Sequence, residues 1–159
     1  MRRWREKIKS KEELAQILND LRGEGKRIVF TNGCFDLLHW GHVTYLERAK
    51  EEGNLLIVGI NSDDSVRRIK GEGRPILPLE ERMAVVAALE SVDYVVPFEE
   101  DTPYQLIALL RPHLLIKGGD WRAEEVVGRE LVEEVRIIPY LEGASTSRII
   151  KRVLERYRP

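Results

Sequence analysis

The chain has 159 residues, 43% hydrophobic and 33% charged, and its 26 Lys and Arg against 27 Asp and Glu leave a formal net charge of -1. That length suits one domain, and this balance of apolar and charged residues excludes a disordered chain. The near-zero charge argues against a nucleic-acid partner held by a general cationic field, while a local cationic pocket stays open.

The N-terminal MRRWREKIKSKEELAQ is basic but lacks the apolar stretch and cleavage site of a signal peptide. No apolar run approaches the roughly 20 residues that span a bilayer, so a cytoplasmic location is expected. Ser10 and Glu13 form a capping-box pattern, and Leu14, Ile17, Leu18 and Leu21 follow at helical spacing until Gly23 and Gly25. This N-terminal helix, within residues 1–25, is expected to pack on a single domain spanning 1–159. RIVF (27–30) is a short β-branched run and predicts a strand. TNGCFDLLHWGH (31–42) follows, and a helix is expected from about Val43, with Val43, Leu46 and Ala49 on one face and Gly53 as its stop.

LLIVGI (55–60) is almost wholly apolar, as a parallel strand covered on both faces would be. Helices are predicted over 63–69, with Asp63 and Asp64 as caps, and over 79–89 behind Pro78. VDYVV (92–96) predicts a strand, and Thr102 is expected to cap a helix that begins with Pro103 and runs to about Leu110. HLLIK (113–117) predicts the next strand, 124–133 a short helix, and VRIIPY (135–140) a last strand. Ser145 or Thr146 opens the final helix, whose apolar face is Ile149, Ile150, Val153 and Leu154.

About five strands separated by helices imply right-handed crossovers and a parallel sheet. The expected class is therefore α/β, a Rossmann-like three-layer sandwich. Ligands in such folds bind beyond the carboxyl ends of the strands. TNGCFDLLHWGH, KGGDW and EGASTS each follow a predicted strand.

His39 and His42 flank Gly41 where a helix is expected to start. Both imidazoles can then face an anion over the helix N-terminus, where free N–H groups and the helix dipole favour phosphate. Gly41 would admit the ligand close to the backbone. The plainer alternative is that one histidine caps the helix and the other packs. Cys34 is the only cysteine. An intramolecular disulfide is thereby excluded, no cysteine-rich metal site can form, and a reducing compartment is suited.

TNGCFDLLHWGH resembles the HxGH signature of the nucleotidyltransferase superfamily. KGEGRPILPLEERMAVVAALESVDYVV, FEEDTPYQLIALLRPHLLIKGGDW and EGASTSRII extend the resemblance over nearly the whole chain. Together these segments closely resemble the adenylyltransferases of ADP-heptose synthesis. The resemblance implies transfer of AMP from ATP to a sugar 1-phosphate (heptose 1-phosphate), with release of pyrophosphate, toward lipopolysaccharide core precursors. It implies Mg2+ held mainly through the nucleotide phosphates, small-molecule partners without nucleic acid or membrane, and a homo-oligomer. Many relatives carry a fused heptose kinase, and the stand-alone form is expected here.

By the same resemblance, His39 and His42 stabilise the transition state and Lys70 clamps the phosphates. Thr31, Gly33, Cys34 and Phe35 belong to the nucleotide site. Arg82 reaches the phosphates, with a salt bridge to Glu80 or Glu81 as the alternative. Lys117, Gly118, Gly119 and Asp120 serve the nucleobase or sugar, the glycines letting the backbone pass close to a flat base; Trp121 stacks or packs beside them. Ser145, Thr146 and Ser147 hold the outer phosphates and also suit a helix cap. Arg74 touches the sugar phosphate; Asp36 is expected to be structural or to orient a histidine, with assistance to Mg2+ as a further role. A cytidylyltransferase for an alcohol phosphate such as glycerol phosphate is the alternative, favoured by FDLLHWGH and LERAK. Its signature usually has Arg-Thr before Glu-Gly, where this chain has Tyr140-Leu141.

Overall fold

Five parallel strands form one sheet: β1 (Ile28–Gly33), β2 (Leu55–Asn61), β3 (Tyr94–Phe98), β4 (Leu114–Gly118) and β5 (Glu134–Ile138). The computed structural model describes residues 2–158, and in it the strand order is β3-β2-β1-β4-β5. β1 and β2 are central and almost fully buried, which accounts for their near-continuous apolar runs.

Helices cover both faces, giving the expected three layers. On one side α3 (Trp40–Glu51) and α5 (Leu79–Ala87) pack Leu46, Ala49, Val86 and Ala87 on Val29, Leu56 and Val58 of the sheet. On the other, α2 (Lys11–Gly23) and α6 (Tyr104–Leu110) pack Leu14, Leu18, Leu106 and Leu110 on Ile28, Phe30 and Ile57. The Ser10–Glu13 capping box of α2 is formed as expected. α4 (Asp63–Lys70) follows β2 and α7 (Thr146–Tyr157) follows β5. α7 has no fully buried residue, and Val153 and Leu154 stay about half exposed, so its apolar face is largely uncovered.

Three local expectations are corrected. Residues 124–133 form two 3-10 turns, Ala123–Glu125 and Arg129–Leu131, because Gly128 between them takes a φ of 88° that no helix allows. Thr102 does not cap α6; Pro103 occupies the N-cap. Asp63 does not cap α4 either, since Ser62 does so by accepting from Ser65 N–H.

An additional short helix, α1 (Trp4–Lys7), leads into a segment that lies along β3. Ile8 forms an isolated parallel bridge with Val95, Lys9 N–H donates to Val95 O at 3.0 Å, and Lys7 Nζ donates to Leu89 O at 2.9 Å. This segment covers the free edge of β3. Among the described residues no helix is long and apolar enough to cross a membrane.

The chain winds outward from β1 to β3, then returns to place β4 on the other side of β1. β1 and β4 thus flank the point where strand order reverses, and the crevice beyond their carboxyl ends is the natural ligand position.

Candidate functional site

A cavity of about 710 Å3 opens at the carboxyl ends of the strands, walled by the segments that leave β1, β4 and β5 and by the end of α4. The exit from β1 is sharply folded. Phe35 and Leu37 have φ values of 48° and 51°, in the left-handed region that side chains with a Cβ seldom adopt.

Between them Asp36 is buried, and its carboxylate is fully engaged. It accepts from Arg74 Nε at 3.1 Å, Ile76 N–H at 2.7 Å and Leu77 N–H at 3.0 Å. Asp36 therefore neither orients a histidine nor offers a free carboxylate to a cation. It pins the segment between α4 and α5, and with it Arg74, over the cavity.

His39 is the N-cap of α3, which is why the helix starts at Trp40 and not near Val43. Its Nδ1 accepts from Gly41 N–H at 3.1 Å, while His42 Nδ1 accepts from His39 N–H at 3.3 Å. The rings stack, with centroids 3.8 Å apart and planes at 23°. Burial lowers the His39 pKa below the usual histidine value; burial, and then the charge on His39, lower that of His42 to about 4. Both rings are neutral at neutral pH, and with Nδ1 accepting, each carries its proton on Nε2. The pair combines both sequence readings: it caps the helix and presents two N–H donors.

Gly41 lines the cavity, and its missing side chain also leaves room for protein. A Cβ there would lie 2.8 Å from that of Ala144 and 3.0 Å from the His39 ring, so the β5–α7 segment docks directly on the α3 N-terminus. In that segment Ser145 caps α7 by accepting from Arg148 N–H at 3.2 Å, and Thr146 Oγ1 donates to Asp36 O at 2.7 Å. Ser147 Oγ has no hydrogen-bond partner among the described residues and faces the cavity.

Most of the predicted residues converge here. Gly33, Cys34, Phe35, Lys70, Arg74, Lys117, Gly118 and Trp121 also line the cavity. Burial pushes the Cys34 thiol pKa up, so it stays protonated. Burial also lowers the pKa of Lys117, and Lys70 nearby adds to that effect; its Nζ sits 5.2 Å from the Trp121 ring centroid. Trp121 thus meets a cation.

Four predicted residues stand apart. Thr31 is buried, with its hydroxyl 2.6 Å from the Tyr45 hydroxyl, and it stiffens the wall behind the cavity. Asp120 is exposed and outside the lining. Gly119 is also outside it, packed under the ring of Tyr140.

Arg82 is the clearest correction. It is 1% exposed, lies outside the cavity lining and pairs with Asp63, not with Glu80 or Glu81. Its Nε donates to Leu77 O, its Nη1 to Cys34 O and Asn61 O, and its Nη2 to Asp63.

Sequence reasoning missed Tyr45, Arg48, Asp101 and Tyr140, all of which line the cavity. Only Tyr140 carried a usable signal, as an aromatic between a strand and the EGASTS segment. Two imidazole N–H donors, the cations Lys70, Arg74 and Lys117, and the N-termini of α3 and α7 give this cavity the chemistry that suits a polyanion.

Residues 30–152 match the cytidylyltransferase-like family. The chain is 57% identical over 155 residues to the bifunctional protein HldE of Pelobacter propionicus, a match covering 95% of this chain and 32% of that protein. It spans about a third of the length of the curated relatives it matches. Among solved structures, the lipopolysaccharide core biosynthesis protein of Thermoplasma volcanium GSS1 is similar with a TM-score of 0.62 and 26% identity, over 75% of this chain and 99% of that one. The pantoate-beta-alanine ligase of Francisella tularensis, solved with beta-gamma ATP and beta-alanine, shares the fold with a TM-score of 0.60 at 16% identity, over 93% of this chain and 77% of that one.

Proposed function

Because the chain belongs to the cytidylyltransferase-like family, we propose that it transfers AMP from ATP to heptose 1-phosphate, giving ADP-heptose for lipopolysaccharide core precursors and releasing pyrophosphate. The stacked His39–His42 pair carries this reading: two neutral imidazoles with Nδ1 turned to the backbone leave two Nε2–H donors for a nucleotide's phosphates. The identity to the bifunctional protein HldE supports the heptose branch.

An oxygen of the sugar phosphate attacks the α-phosphorus in line, a new P–O bond forms, and the bond to the β-phosphate breaks with pyrophosphate leaving. No protein nucleophile is needed, so catalysis consists of positioning and of neutralising charge as it builds on the phosphoryl oxygens. His39 and His42 donate to those oxygens, Lys70 closes over the outer phosphates, and Arg74, held by Asp36, receives the sugar phosphate. Ser147 and the N-terminus of α7 hold the departing pyrophosphate.

Among the described residues no three His, Cys, Asp or Glu side chains are grouped to hold a metal. In this proposal Mg2+ comes with the ATP phosphates, where it would neutralise charge. A cytoplasmic homo-oligomer acting on small molecules completes the reading.

A substrate screen tests it: ATP or CTP with heptose 1-phosphate or glycerol phosphate, products resolved by chromatography. ADP-heptose from ATP is the expected product. The family's description favours one other reading, a cytidylyltransferase; product from CTP and an alcohol phosphate alone would establish it and overturn the proposal.

A further inference from the structure

We propose that Tyr140 is the platform on which the nucleobase stacks and a determinant of purine preference; this rests on the nucleotide-transfer reading above. The VRIIPY run was expected to continue as strand through Tyr140, but β5 ends at Ile138. Tyr140 stands beyond the strand end, 72% exposed, on the wall of the cavity.

Its ring lies across Gly118 and Gly119. A Cβ on Gly118 would come within 2.8 Å of Tyr140 Cε1, and one on Gly119 within 2.6 Å of Cε2 and 3.2 Å of Cζ. One glycine meets one edge of the ring and its neighbour meets the other edge, so the ring covers the pair. Gly119 also has a φ of 103°, which further bars a side chain there. The two glycines therefore seat a flat group against the backbone as expected, but that group is the protein's own tyrosine.

A base entering this end of the cavity meets the tyrosine ring that lies across the diglycine. The residue's high exposure leaves ring surface open, and its hydroxyl has no hydrogen-bond partner among the described residues. A ring backed by main chain loses little freedom on binding and favours a flat aromatic partner. Tyr140 also shares one short segment with Ser145 and Ser147, so base and phosphate positions are set by the same stretch of chain. A bicyclic purine covers more of the ring than a pyrimidine does, which makes stacking here selective.

Isothermal titration of ATP, CTP and tripolyphosphate, the last having no base, tests the assignment. Tyr140→Ala and Tyr140→Leu are expected to weaken ATP on the order of 10- to 100-fold and CTP less, with tripolyphosphate affinity held within about twofold. Tyr140→Phe restores ATP affinity. If Tyr140→Ala binds ATP as the unmodified chain does, the platform is wrong while the nucleotide reading stands. An equal loss for ATP and tripolyphosphate makes Tyr140 a structural support and overturns the assignment. Failure of the unmodified chain to bind any of the three removes the nucleotide reading and the platform together.

Discussion

Arg82 of α5 and Asp63 of α4 are joined by a 2.7 Å ion pair in which the guanidinium is fully buried and the carboxylate partly exposed. The same guanidinium donates to carbonyls at the ends of β1 and β2 and in the α4–α5 segment. One side chain thus ties together the strand ends that carry the site.

Arg82→Met keeps the bulk of the side chain but leaves three carbonyls and Asp63 without their donor. The expected loss of stability is about 3–5 kcal/mol in urea denaturation, since breaking a buried pair strands its partners. A loss below about 1 kcal/mol would show that water replaces the guanidinium.

The two roles of His39 are separable. Asn is a good N-cap but does not reproduce the Nε2–H donor. His39→Asn is expected to unfold at a temperature close to that of the unmodified chain, yet to release pyrophosphate roughly 100- to 1,000-fold more slowly at saturating substrate. His42→Ala should show a similar loss of turnover. Retained turnover in both variants would remove the histidines from the chemistry.

Acid should destabilise the fold through His42. Its folded pKa of about 4 lies below the usual histidine value of 6.5, so the unfolded chain binds the extra proton between those values. Stability is full above the unfolded pKa and is lost as pH falls toward the folded one. Between pH 7 and 5 this single group contributes a loss of roughly 2 kcal/mol. His42→Asn, with an acceptor that does not titrate, should flatten the profile by that amount in denaturation series at each pH.

Asp36→Ala removes the acceptor for Ile76 N–H, Leu77 N–H and Arg74 Nε at once. Amide exchange across residues 71–77 is expected to quicken, and KM for the sugar phosphate should rise more than KM for ATP. Asp36→Asn, keeping one acceptor oxygen, should fall between. Unchanged exchange in the alanine variant would mean that the segment is held by other contacts.

Much of the fold was legible because strands buried on two faces must be apolar throughout, as LLIVGI is, and because caps such as Ser10–Glu13 are local. The convergence of the β1, β4 and β5 segments followed from alternation alone. What stayed hidden depends on distant main chain. Arg82 looked like a free cation on an apolar helix, since its partners are carbonyls from three separate segments that no spacing pattern marks. The seat of Tyr140 was hidden for the same reason: Gly118 and Gly119 signal that something flat lies near, but not what. Residues 124–133 misled because their helical composition is overruled by one glycine with positive φ.

The segment that covers β3 is also bound to the order of synthesis. Lys7, Ile8 and Lys9 find their partners at Leu89 and Val95, so they leave the ribosome long before those partners exist. Until β3 has emerged and joined β2, these residues can only wait in solvent, and their docking must come late in vectorial folding. A chain stalled between those two points presents β2 without its outer neighbour, an unpaired edge open to strand addition by another copy. Docking of the segment closes that edge alone, and β1 on the opposite side still waits for β4 and β5, which are made later.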